Sequence, residues 1–286
     1  MKRGLLSLFV TFTTAVWVAS LVPIPAPGQE GGAKTKGVGK AGAKPGPAKR
    51  RPDGTPDIQG NWNARANAAL FDIQDHPVAR EGISPGKGII VDPPDGKLPY
   101  QPWAAAKVED LGLHHMIEES DLHCYMAGIP HQMFSQQGMQ ILQPSGYVLF
   151  LWEYMHSYRT VPLDGRPHLR PDIKLFMGDS VGRWEGDSLV IDVTNQNSRT
   201  WFDIAANFHS DGMHVVERLT PFDADTINYE ATIEDPTVYT KPWKIAFSYA
   251  RNSQPNYELM EFSCWEGEAD LPKYTLDQGG TKQKSR

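Results

Sequence analysis

The chain has 286 residues, enough for one or two domains with a sizeable core, and carries 28 basic against 34 acidic side chains. The charge is uneven: from residue 53 onward, 33 acidic residues stand against 19 basic ones, a net charge of −14. A body so acidic repels phosphate backbones, which argues against a nucleic-acid partner.

Residues 1–28 read as an export signal. Lys2 and Arg3 precede the uncharged run that begins Gly4-Leu5-Leu6, and Ala26-Pro27-Gly28 offers small residues for cleavage before Gln29. Ser20 is a second cleavage point. The rival reading is a retained anchor, since the run is about long enough to span a bilayer; after cleavage no stable membrane span is expected. Residues 29–52 form a Gly, Ala, Lys and Pro tract with seven basic residues and no apolar face, the composition of a flexible linker. The only cysteines, Cys124 and Cys264, form an even pair in a chain read as exported, so a disulfide is expected. It would tie the segment before the β region to its last strand.

Residues 53–136 start the folded part with Thr55-Pro56-Asp57 and Gly60-x-Trp62, where a glycine lets the chain pack under a large ring. Residues 64–99 are rich in Pro, Gly and Asp and read as loop. The stretch 102–121 is the one good helix candidate, weakened by Gly112.

From residue 137 the apolar period changes to two, and 137–268 reads as β structure. Met139, Ile141 and Leu142 begin it. Residues 147–154 are apolar on both faces, the mark of a strand buried on both sides. A strand at 158–163 follows. In Ser180-Val181-Gly182-Arg183-Trp184-Glu185-Gly186-Asp187-Ser188-Leu189-Val190 an acidic glycine turn joins two strands. Residues 195–211 are a polar excursion. A hairpin pairs 213–219 with 226–233, and another pairs 243–249 with 257–264. Residues 269–286 read as a polar tail. The expected fold is mainly β: an antiparallel meander closed as a barrel, with a short helix and loop segment before it. A sandwich is the alternative.

Two resemblances bear on this. Gly60-x-Trp62 on the first strand of a meander is similar to the signature of lipocalin-like (calycin) barrels. That resemblance implies a tryptophan plugging one barrel end beneath an arginine from a late strand. A wider pattern resembles a family of exported bacterial proteins of unknown function. It includes Tyr100-x-Pro102-Trp103, Gly182-Arg183-Trp184-Glu185-Gly186-Asp187, His214-Val215-Val216-Glu217-Arg218 and Tyr239-Thr240-Lys241-Pro242-Trp243. The family implies no activity, and His131 stands where its pattern usually has arginine.

Three constellations hold candidate chemistry. His114 and His115 precede Glu118 and Glu119 by four residues, on one helix face, but sequence places no third metal ligand, so no metal is assigned. Glu153, His156 and Arg159 sit on or beside the most apolar strand: Glu153 or His156 as a base, Arg159 as an anion holder, or Glu153 in a buried ion pair with Arg159 or Arg183. Around the polar excursion, His209 with Asp203 forms a candidate proton-transfer dyad. Alternation puts Glu217 on the face of Val215 and Leu219, and His214 on the other. Trp152, Tyr154, Trp201, His214 and Glu217 are candidate ligand contacts. Gly178-x-Ser180-x-Gly182 has the letters of a nucleophile elbow, but a strand follows where the elbow needs a helix. With no phosphate loop or nicotinamide fingerprint, no cofactor is assigned.

Two functions remain. The first is a barrel binding a small apolar, aromatic or sugar-like ligand in its cavity, exported to the periplasm or beyond. The second is a cofactor-independent lyase, isomerase or hydrolase working by His and carboxylate proton transfer. The enzyme needs His156, His209 and a carboxylate converged in one concavity.

Overall fold

The computed structural model describes residues 47–76 and 85–264. The export-signal reading, most of the linker reading, and the tail reading lie outside the described residues. The end of the linker tract is described: Arg50 Nη2 sits 2.7 Å from Asp187 Oδ1, in the Gly186-Asp187 turn.

Ten strands and one α-helix make up the described chain. In chain order they are β1 (Gly60–Ala64), β2 (Ile90–Asp92), α1 (Pro102–His114), β3 (Met139–Leu142), β4 (Tyr147–Trp152), β5 (Tyr158–Pro162), β6 (Asp179–Glu185), β7 (Ser188–Thr194), β8 (His214–Pro221), β9 (Thr226–Glu234) and β10 (Trp243–Arg251). Nine of the strands form a nearly closed antiparallel barrel, in the order β5-β4-β3-β1-β10-β9-β8-β7-β6, with β2 paired to the side of β10. The expected fold class holds.

The order is not a plain meander. β1 lies between β3 and β10, pairing Trp62 with Met139 on one edge and with Arg251 on the other. It joins two hairpin runs that the sequence presents as continuous. An odd count also settles how the barrel closes. Eight antiparallel steps leave β5 and β6 running in the same direction, so no hairpin can join them, and residues 163–178 must return along the barrel. β5 and β6 share no ladder; they meet through side chains. Gly182 makes this possible, because a Cβ there would lie 2.6 Å from Val161 Cγ1.

The barrel interior is filled by side chains. Trp62, Ile141, Phe150, Val215, Tyr229 and Trp243 are among its fully buried members, and their burial is the main force for closure. Trp62 donates from its indole N–H to Ile58 O at 2.9 Å, and the Arg251 guanidinium lies 4.2 Å from its ring centroid. This is the arrangement that the lipocalin-like resemblance implies.

Four local expectations change. The helix stops at His114, because His115 leaves helical geometry and the Glu119 carboxylate starts a separate 3-10 turn by accepting from Asp121 N and Leu122 N. β2 lies within the stretch read as loop. β4 ends at Trp152, with Met155 and His156 at positive φ, and it is buried on one face only: Val148, Phe150 and Trp152 are buried, Leu149 and Leu151 half-buried. Residues 257–264 form no strand. β10 is already paired to β9 on one edge and to β1 and β2 on the other, so it offers no free edge. Cys124 and Cys264 are disulfide-bonded, with Cα atoms 5.7 Å apart. The bridge therefore ties down an irregular segment after the barrel, not a strand. Among the described residues, no helix is long and apolar enough to cross a membrane.

Candidate functional site

Strand alternation points Arg159 of β5 and Glu217 of β8 into the barrel, and both are buried. Arg159 Nη1 donates to Glu217 Oε1 at 3.1 Å, and Nη2 pairs with Oε2. Arg159 Nε donates to Ser180 Oγ at 2.9 Å across the β5–β6 seam, and Tyr229 Oη donates to Glu217 Oε1 at 2.9 Å. Tyr249 adds a hydrogen bond to Met133 O. Burial first, then the Glu217 charge, pushes the Tyr229 and Tyr249 phenols well above their usual range, so both remain hydrogen-bond donors. The anion that Arg159 holds is thus supplied by the protein itself.

Outward from Arg159 the unpaired seam widens into a slot of about 640 Å³. The returning connection supplies one wall with Lys174, Leu175, Phe176 and Met177; Met126 and the exposed Tyr158 face them. The connection is held in place by its own contacts. Leu175 N donates to Asn195 O at 2.9 Å, and Asp179 accepts from Arg166 Nη2 at 2.7 Å and bonds His168 Nδ1 at 2.8 Å. Two cations stand at the mouth. Lys174 Nζ donates to Asp211 O at 2.6 Å, while Arg199 lies 4.3 Å from the Tyr125 ring centroid and 5.5 Å from that of Phe176. Neither forms an ion pair among the described residues. The slot's one carboxylate, Asp179, is neutralised by Arg166. The slot therefore has an apolar wall of Met126, Leu175, Phe176 and Met177 and two cations at its mouth, on a strongly acidic protein.

A larger cleft of about 930 Å³ lies beside β2, β9 and β10. It sets Glu230 against Arg65 and Lys87, a surface of mixed sign with no bias toward one ligand charge. The slot is the better-defined site for that reason.

Of the residues expected from sequence, the structure brings Arg159 and Glu217 together and separates most others. Glu153 pairs with neither Arg159 nor Arg183; Arg183 pairs with Glu185. Instead it accepts from Tyr257 Oη at 2.5 Å, Met260 N at 2.9 Å and Gly138 N at 3.2 Å, holding the segment after β10. Burial raises its pKa, but those hydrogen bonds outweigh it and the carboxyl sits below its ordinary value. His156 is exposed, at a positive-φ turn, with its ring beside Phe262. His209 and Asp203 do not hydrogen-bond to each other. His209 bonds Thr200 Oγ1 at 2.9 Å and Ser210 O at 3.0 Å, and burial lowers its pKa. Asp203 accepts from Ile73 N and Asn207 Nδ2; burial and the nearby Asp72 push its carboxyl well above the ordinary range. The acid–base set read from sequence is not assembled.

The remaining expected contacts also disperse. Trp152 stacks on Phe150 in the core, Tyr154 hydrogen-bonds Asp121, and His214 points outward to Asp192 at 3.1 Å. Trp201 lines a separate cavity described below. His115 pairs with Glu118 at 3.0 Å, three residues away and not four, because the helix has ended. Sequence reasoning passed over Tyr229, which the alternation of Ile227, Ala231 and Ile233 puts inside the barrel. It also passed over Lys174 and Arg199, whose loops carry no periodic signal.

No protein-family model matches the sequence, and no curated protein matches it. Among solved structures, the crystal structure of a mutant of the fluorescent protein UnaG is similar in part, at 14% identity over 41% of this chain and 72% of that one. The TM-score of 0.25 is too low for that likeness to bear on function.

Proposed function

We propose that this is an exported barrel protein that binds a small amphipathic anion, an aromatic or aliphatic carboxylate, in the slot between β5 and β6. One observation carries the reading: Lys174 and Arg199, which form no ion pair among the described residues, stand at the mouth of a slot with an apolar wall on an acidic body. The apolar part of the ligand lies against Met126, Phe176 and Met177, and its carboxylate meets the cations. The barrel core is packed, so the ligand sits beside the interior and not within it. The disulfide and the signal-like first 28 residues support export.

The test is titration calorimetry with 2-naphthoate and its neutral analogue 2-naphthamide. The acid is expected to bind at least tenfold more tightly than the amide, and K174A/R199A to abolish the difference. Equal binding of acid and amide by the wild-type protein would remove the proposal.

A further inference from the structure

Arg199 lines two cavities. On its far side from the slot lies a second, of about 290 Å³, between α1 and the polar excursion. Its character differs from that of the slot. Lys107, His123 and Ser198 bring polar groups to its lining, while Tyr125, Trp201 and Phe208 bring rings, the last two buried. The Lys107 ammonium lies 4.4 Å from the Phe208 ring centroid, and His123, stacked on Tyr125 at 5.3 Å, donates from Nε2 to Ile117 O at 2.8 Å. Tyr125 in turn lies 4.8 Å from Phe176 of the slot. A continuous run of rings, His123 to Tyr125 to Phe176, with the Arg199 guanidinium above it, thus links the polar cavity to the apolar one.

The charge balance of the second cavity is also positive. Its one carboxylate, Glu118, is engaged by His115. Lys107 has no ion-pair partner among the described residues, and Arg199 is shared with the slot. Ring faces suit the C–H faces of a pyranose, hydroxyl and ammonium groups suit its oxygens, and surplus positive charge selects an acidic sugar over a neutral one.

We infer that the second cavity is a subsite for a uronic acid, and that the natural ligand is an acidic-sugar conjugate. Its aglycone lies against the apolar wall of the β5–β6 slot, and its one carboxylate, carried by the sugar, meets Arg199 from the second cavity, with Lys107 in the part that Lys174 plays for a free acid. This rests on the proposed function and names the ligand class of that site. Two linked groups gain from being held together, so the conjugate binds more tightly than either half.

The experiment compares 2-naphthyl β-D-glucuronide, 2-naphthyl β-D-glucoside and 2-naphthoate by titration calorimetry on the full-length protein. The glucuronide is expected to bind at least tenfold more tightly than the glucoside, and K107A to erase that gap. Lys107 is exposed on α1, and a thermal melt checks that K107A is folded. If naphthoate binds but the glucuronide shows no preference over the glucoside, or is insensitive to K107A, the subsite is overturned and the slot reading stands. If naphthoate does not bind while the glucuronide binds in a Lys107-dependent way, the slot reading fails and the subsite stands.

Discussion

Arg159 on β5 and Glu217 on β8 meet inside the barrel as a two-pronged ion pair, and among the described residues neither makes another. The pair spans the region where β5 and β6 fail to form a ladder, and the Arg159 bond to Ser180 carries it across the seam. Removing Glu217 alone would leave a guanidinium buried without its anion. E217A is expected to cost roughly 3–5 kcal/mol of stability. The double variant R159M/E217L, apolar throughout, is expected to recover most of that. Urea unfolding of the three proteins decides; a single variant as stable as the wild type would show that the pair is idle.

The contribution of Glu119 to stability is expected to fall as pH rises toward neutrality. Burial, then the neighbouring Asp121 charge, raises Glu119 to about 7 from its ordinary value of 4.5. A folded-state pKa above the unfolded one means the folded protein binds the proton more tightly. That contribution is complete below 4.5 and is lost as pH rises through about 7. Asp203, also raised by burial, acts in the same direction. His209, lowered by burial, acts in the opposite sense, so the readout is the difference between the wild type and E119Q: from pH 4.5 to 8 the wild-type melting temperature should fall relative to that of E119Q. A difference that stays constant with pH would rule out this contribution of Glu119.

The disulfide holds residues 257–264, which have no ladder to hold them. C124S/C264S is expected to lose roughly 2–5 kcal/mol. Limited proteolysis should then cut near residue 260 faster than in the wild type. Equal cutting of both proteins would show that the Glu153 hydrogen bonds suffice alone.

Gly60 is required by its backbone and by its neighbour. Its φ is +124°, and a Cβ there would lie 2.4 Å from Arg251 Nη1, the group that covers Trp62. G60A is expected to cost about 1–3 kcal/mol, with a change in Trp fluorescence as Arg251 is displaced. R251A, which leaves the backbone free, should cost less, about 0.5–2 kcal/mol. Thermal melts of the two variants separate backbone strain from the loss of the cation over the ring.

The sequence by itself determined the β character, the β6–β7 and β8–β9 hairpins, the inward face of β8 and the pairing of the two cysteines, but not the partner of β10, since 257–264 form no strand. Period-two alternation is local, so it reports which side of a strand is buried whatever the strand pairs with. That Trp62 would lie buried beneath an arginine was implied by the resemblance of Gly60-x-Trp62 to lipocalin-like barrels, and Arg251 takes that place. Tertiary structure alone decided that β1 would separate β3 from β10, because both of its edges are filled by strands far away in the chain. The odd strand count then left β5 and β6 parallel, which opened a slot where an even barrel would have closed. Glu153, His156, Asp203 and His209 looked chemically paired in sequence yet lie apart, because three-dimensional proximity depends on how loops return. Lys174 and Arg199 sit together at the slot for the same reason, and no local pattern in the chain records it.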